Sequence, residues 1–428
     1  MSKLQFPKGF LWGAATSAHQ VEGNTTNDWS EWEKENAERL AKEAHKKFGH
    51  IKYWERLRPE AEDPKNYISG IACDHYNRFK EDFDLAKSLH HNAHRFSIEW
   101  SRIEPVEGQF DEQALNHYRD VLLALHERGL TPFVTLWHWT MPLWLRDKGG
   151  VSSKEFPVYF ERYTHFVVSR LNDLVTFWIP LNEPTSVIAG SYTTGQWPPQ
   201  KKSYFTAHRV YKILADSHKR AYRVIHEINP NAQVGLANLL HSFEPYHEHS
   251  FFDTLMIRFS HFFTNEYFLR LTKGTHDFLT AQYYFHNRFK FPRKVHLGDK
   301  PINDLGWEIY PKGIYNVLKE LHQYNLPIYI TENGLADAFD DYRIDFIRDH
   351  LLWIHQAIED GVDVRGYFYW SLLDNFEWDK GFWPRFGLIA VDYEDQERIV
   401  RKAALFYAQI CQENALEIEI EKSPKIQS

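Results

Sequence analysis

The sequence predicts an α/β fold, a single (β/α)8 barrel across residues 1–428. Three observations carry this prediction. Eight short apolar runs alternate with longer helical stretches, the pattern of parallel strands joined by crossover helices. The runs are apolar at nearly every position, so both of their faces are covered, as a closed barrel requires. The first run ends in Gly13-Ala14-Ala15-Thr16, without the spaced glycines that cradle a pyrophosphate in an open, doubly wound sheet.

The predicted strands are Phe10–Thr16, Ala93–Trp100, Thr131–Trp139, Val175–Asn182, Gln233–Leu239, Asp277–Phe285, Pro327–Glu332 and Arg365–Leu372. Each is rich in β-branched or aromatic residues. Helical periodicity fills the intervals at Asp111–Arg128, Phe156–Leu171, Phe205–Ile228, Pro311–Tyr324 and Asp341–Asp360. The most polar stretch, 31–65, contains ENAERLAKEAHKKF and reads as a surface excursion from the barrel. No Pro/Gly/Ser-rich linker, repeat or low-complexity run divides the chain.

Composition narrows the function. Fifty Lys and Arg against 58 Asp and Glu give a formal charge of −8, which offers nucleic acid no electrostatic attraction. No apolar run approaches the ~18–20 residues of a membrane span, so no membrane partner is expected. The start lacks the apolar stretch of a secretory signal. Two cysteines, Cys73 and Cys411, cannot make a disulfide framework, which points to a reducing cytoplasm. Aromatic residues make up 16% of the chain, with 15 Trp and 23 Tyr. A flat apolar face beside a polar edge suits the C–H faces and hydroxyls of a sugar, although an aromatic core also uses these residues. The 24 histidines include His90, His91, His94, His247 and His249. They match no metal-ligand spacing and are expected at the surface.

In a barrel the strand C-termini converge on one face, where the chemistry sits. The fourth strand ends in Leu181-Asn182-Glu183-Pro184 and the seventh in Ile330-Thr331-Glu332-Asn333. A carboxylate directly after an apolar run is costly unless it has a task. Alone, each is an ordinary loop residue or a neighbour of a helix cap. Together they suit glycoside hydrolysis, which needs one acid and one carboxylate with pKa values pushed apart. Arg95 supplies a fixed positive charge that keeps a nearby glutamate ionised, and Tyr284 is placed to donate to the same oxygen.

Six motifs then stand in order: ATSAHQVEG (15–23), HRFSIEWSRI (94–103), TLWHW (135–139), LNEP (181–184), ITENG (330–334) and WSLLDNFEW (370–378). With them the chain resembles glycoside hydrolase family 1, the β-glucosidase and β-galactosidase family, over about nine tenths of its length. The resemblance implies a retaining exo-β-glycosidase acting on terminal β-D-glucosyl, β-galactosyl or β-fucosyl residues of small glycosides or oligosaccharides. It implies Glu183 as acid/base, Glu332 as nucleophile, and Arg95, Asn182 and Tyr284 in support. It also implies Gln20, His138, Glu377, Trp370 and Trp378 around the sugar, with Trp307 on the leaving-group side. No cofactor and no metal are expected. Glu377 would repel a 6-phosphate, which argues for an unphosphorylated sugar. Transglycosylation with the same residues and a sugar-binding relative with weak catalysis are the alternatives.

Three positions depart from the family pattern: His19 for Tyr, Thr140 for Asp, and Gln282 for Asn. The first two are expected to act behind the pocket. The aromatic-rich segment between strands five and six, 240–277, is short for the family. It is expected to form a compact helix on the barrel; the sharper reading is a mobile wall or a crevice for a further apolar ligand around 241–276. The sequence leaves homo-oligomer formation open.

Overall fold

The computed structural model describes residues 2–295 and 300–418. Eight parallel staves form a closed (β/α)8 barrel. They comprise β1 (Leu11–Ala15), β2 (Ala93–Ser97), β3 (Thr131–Trp137), β4 (Phe177–Leu181), β5 (Gln233–Val234), β6 (Leu239–Pro245), β7 (Leu279–Lys290), β8 (Ile328–Asn333) and β9 (Val364–Trp370). Neighbours pair in parallel around the ring, and β9 returns to β1 through the Gly366↔Leu11 to Trp370↔Ala15 register.

The fifth stave differs from its prediction. The expected strand Gln233–Leu239 is split: β5 pairs with β4, and β6 pairs with β7 as far as Pro245↔Phe289. Between them Ala237 O accepts from Glu183 N (2.9 Å) and Asn238 O from Gln282 N (3.0 Å), which carries the ring across the break. Gly235 sits at the bend, where a Cβ would meet the Phe278 ring at 2.3 Å. Beyond the barrel rim, β6 and β7 continue as a projecting blade.

Helices fill every crossover, including His75–Ser88 after β1 and Lys402–Glu413 after β9. Their apolar stripes lie on the barrel. In Tyr204–Ile228 the buried residues Ala207, Val210, Tyr211, Leu214, Ala221 and Ile225 recur at three- and four-residue intervals. Inside the barrel, Ala93, Phe133, Ile179, Ala237, Phe278, Tyr329 and Phe368 make a separate apolar plug. It seals one end and leaves the other for polar side chains.

The polar stretch 31–65 forms the helices Asp28–Phe48 and Trp54–Ala61. Asn27 and Ser30 close a reciprocal capping box at the start of the first, and Trp29, Trp32, Leu40 and Ala44 turn inward. Two expectations need correction. His91 and His94 are core residues rather than surface ones; burial drives both well below the usual histidine range, so they are neutral. The 240–277 segment does contain a helix, Phe251–His261, but only Asp253 of it is buried.

Candidate active site

The strand ends of the open face line one cavity of about 470 Å³. It contains Gln20, His138, Asn182, Glu183, Tyr284, Trp307, Glu332, Trp370, Glu377 and Trp378. Of the residues predicted from sequence, only Arg95 does not line it. Arg95 lies 1% exposed inside the barrel, pointing up from β2 at the residues that do.

Glu332 ends β8 and has two fixed partners. Arg95 Nη1 donates to Oε1 in a buried ion pair, and Tyr284 OH donates to Oε2 (3.0 Å). Arg95 Nη2 also donates to Asn182 Oδ1 (2.6 Å), and its Nε to Thr135 Oγ1 (3.2 Å). Burial raises the pKa of Glu332, while Arg95 and the two hydrogen bonds oppose that rise.

Glu183 follows β4 in the left-handed backbone region (φ 40°, ψ 60°), with Pro184 starting the next helix behind it. Such backbone concentrates at functional sites. Its Oε2 accepts from Ser186 Oγ (2.8 Å), and no cation pairs with it among the described residues. Burial, then the negative charge of Glu332, pushes its pKa up to about 8. The two glutamates thus differ in the way acid and base chemistry at one site requires. Glu183 holds its proton at neutral pH, and Glu332 has the cation.

Asn182 is held between these groups. Its Oδ1 accepts from Arg95 and from Gln282 Nε2 (3.1 Å), and its Nδ2 lies 3.0 Å from His138 Nε2. Gln282 therefore keeps its contact with the site despite its extra methylene. Burial and then Arg95 drive His138 well below the usual histidine range, so its ring is neutral and accepts from the amide.

The opposite wall comes from the loop after β9. Gln20 Nε2 reaches Phe376 O (2.8 Å), Asn375 Oδ1 (3.0 Å) and Glu377 Oε2 (3.3 Å). Glu377 is pushed up to about 8 by desolvation in the cavity, although Lys380 opposes this. Trp378, at φ 52°, packs on Trp139 and Trp29 with ring centroids 4.6 Å apart in each case. Gly334 permits the close approach of this loop to β8; a Cβ there would lie 1.8 Å from Trp370 O.

His19 and Thr140 lie behind this wall. His19 stacks on Trp378 and pairs through Nε2 with Glu33 (2.7 Å), while Thr140 donates to Glu99 (2.8 Å). Neither lines the cavity. Sequence reasoning missed Trp139, whose Nε1 donates to Asn182 O (3.0 Å). Its place directly after His138 in TLWHW was the available signal. It also missed an apolar side made by Leu239, Tyr211, Phe263, Phe285 and Phe386. Those residues come from five separate elements and share no motif.

The chain is similar to known proteins along nearly its whole length. The chain matches the Glycosyl hydrolase family 1 model over residues 2–288 and 286–416. It is 34% identical to Beta-glucosidase A of Thermotoga maritima, across 97% of this chain and 100% of the relative. It is 29% identical to a beta-galactosidase of Sulfolobus acidocaldarius, across 98% and 97%. Among solved structures, a beta-glycosidase from Pyrococcus horikoshii superposes with a TM-score of 0.86 at 36% identity, covering 97% of each chain. The Thermotoga maritima beta-glucosidase in complex with glucoimidazole gives 0.84 at 32% identity, covering 96% of this chain and 100% of that one.

Proposed function

The chain belongs to glycosyl hydrolase family 1, a family of retaining β-glycosidases, and from that premise we propose the roles of its residues and its substrate. Glu332 attacks the anomeric carbon of a terminal β-D-glucosyl residue. Glu183 gives its proton to the leaving oxygen, and the C1–O bond breaks as the Glu332–C1 ester forms. The ester carries no charge, so the electrostatic push on Glu183 from Glu332 disappears. The acidity of Glu183 then increases, which suits it to take a proton from the water that cleaves the ester. The two steps use one carboxyl first as acid and then as base.

The observation that carries this reading is the asymmetry of the two buried carboxyls, with Arg95 and Tyr284 on Glu332 and neither on Glu183. Asn182 is placed for the sugar 2-hydroxyl. Gln20, His138 and Glu377 read the remaining hydroxyls, and a site of directed polar groups rejects a sugar lacking one of them. Trp370 and Trp378 support the ring face, and Trp307 borders the aglycone. Glucose and galactose differ at one hydroxyl, and the matched relatives include enzymes named for each. β-Galactosyl and β-fucosyl residues are therefore secondary substrates of the same pocket.

The chemistry of two carboxylates calls for no metal and no cofactor. Among the described residues no group of three or more His, Cys, Asp or Glu is arranged to hold a metal ion, and no helix is long and apolar enough to cross a membrane. Both cysteines are buried free thiols, which supports residence in a reducing cytoplasm. A panel of p-nitrophenyl glycosides tests the reading. β-Glucoside is expected to be hydrolysed with retention, and Glu332→Ala to abolish turnover. Inverted product, or undiminished turnover by the variant, refutes it.

A further inference from the structure

The helix Phe251–His261 is built inside out. Its one buried residue is Asp253, whose carboxylate accepts from Phe291 N (2.8 Å) and His247 N (3.2 Å). Its large apolar residues face solvent: Phe251 is 72% exposed, Phe259 68%, Phe252 57% and Leu255 53%. Residues 251, 255 and 259 are spaced four apart, so they form one stripe along the helix. The patch continues across Phe252 to exposed Phe291 on the blade, 5.3 Å between rings. At the other end Phe259 packs at 4.9 Å on Phe263, which lines the catalytic cavity.

Cations border this stripe. Arg258 on the helix and Lys290 and Arg293 on the blade are exposed, and among the described residues of 240–295 Glu248 is the one exposed acid. This local excess is opposite in sign to the chain as a whole, which carries −8. A helix with an aromatic face, bordered by Lys and Arg, is the arrangement of a segment that lies in the plane of a lipid surface. It needs no apolar run of spanning length, which is why the sequence gives no membrane signal.

We propose that this face docks the enzyme on an anionic lipid surface, with the stripe in the headgroup layer and the mouth of the cavity turned toward the membrane. A second copy of the chain is the rival occupant. A two-fold contact places the same patch on both sides, and would bring the cations Arg258, Lys290 and Arg293 of both copies into one seam. An anionic surface instead satisfies both the apolar stripe and the cations. The apolar ligand expected near 241–276 is on this view the membrane itself. Docking rests on exposure and charge and is independent of the assignment of Glu183 and Glu332.

Co-sedimentation of the full chain with vesicles tests it. Vesicles containing phosphatidylglycerol are expected to pellet the protein at low salt, about tenfold better than pure phosphatidylcholine, and to release it as salt is raised. The triple variant Phe251→Ser, Leu255→Ser, Phe259→Ser should lose about tenfold or more of this binding. Its hydrolysis of a soluble aryl glucoside should match wild type, which shows that it is folded. The pair Lys290→Glu and Arg293→Glu gives a second route, weakening binding to anionic vesicles alone. The proposal is overturned if wild type does not pellet with phosphatidylglycerol vesicles, or if the triple variant pellets equally. It is also overturned if sedimentation velocity shows a wild-type dimer that the triple variant converts to monomer.

Discussion

Tyr284→Phe isolates the hydrogen bond that distinguishes Glu332 from Glu183. The change removes the donor 3.0 Å from Glu332 Oε2 and keeps the ring against Trp307. A hydrogen bond to a charged group contributes about 1.5–3 kcal/mol. At 1.36 kcal/mol per pKa unit, its loss raises the pKa of Glu332 by about 1–2 units. The sign follows from which form is stabilised. The hydroxyl favours the ionised carboxylate, so without it Glu332 takes up a proton at higher pH, and the acid limb of kcat/KM moves up. The same bond stabilises the carboxylate as it leaves in ester breakdown. For activated aryl glucosides, whose turnover is limited by that step, kcat falls by up to about 10- to 150-fold. The assay is a pH series of kcat and kcat/KM with 2,4-dinitrophenyl and p-nitrophenyl β-glucosides. An acid limb displaced by less than about half a unit, together with an unchanged kcat, refutes the reasoning.

Three further outcomes follow from the same site. Glu183, raised to about 8 by burial and by Glu332, loses its proton as pH rises through that value, so wild-type kcat/KM should fall above it; Glu183→Gln should abolish this basic limb for activated glucosides. Glycosylation in that variant should slow by about 10²- to 10⁴-fold for alkyl leaving groups and little for 2,4-dinitrophenolate, and equal losses would contradict the acid role. Glu377→Ala should lower kcat/KM for the β-glucoside by about 10- to 100-fold, measured against a glycoside lacking the hydroxyls it contacts, for which little change is expected. His19→Phe removes the cation from the buried Glu33, which keeps only the Ser69 N and Oγ donors on its other oxygen, and should reduce the unfolding free energy in urea by about 3 kcal/mol or more. Because His19 titrates above its unfolded value, its contribution is complete below the unfolded pKa and fades as pH rises through the folded one. The gap between variant and wild type should therefore narrow toward alkaline pH.

The barrel was legible because each stave is a local run of apolar residues whose two-sided burial shows in the composition of the run itself. Six of the staves stand within a few residues of their predicted bounds, and Glu183 and Glu332 were visible as carboxylates at the ends of such runs. The fifth stave was not legible. A continuous apolar run does not reveal that Gly235 must clear the Phe278 ring, or that the strand changes partner after Val234. The buried His91 and His94 were missed for a related reason, since a histidine just before or at the start of a strand reads as exposed until its neighbours are known.

The sequence by itself determined the alternation of elements, the two acidic strand ends and the six motifs, because these are properties of consecutive residues. Only the tertiary structure decided which carboxyl would keep its proton. That difference arises from Arg95 on β2 and Tyr284 on β7 meeting Glu332 on β8, while the Glu183 carboxyl, just beyond β4, finds only the Ser186 hydroxyl among the described residues. It likewise decided that the stripe of Phe251, Leu255 and Phe259 faces water. A helical period tells which residues share a face; the packing of Asp253 against the blade tells which face is inside.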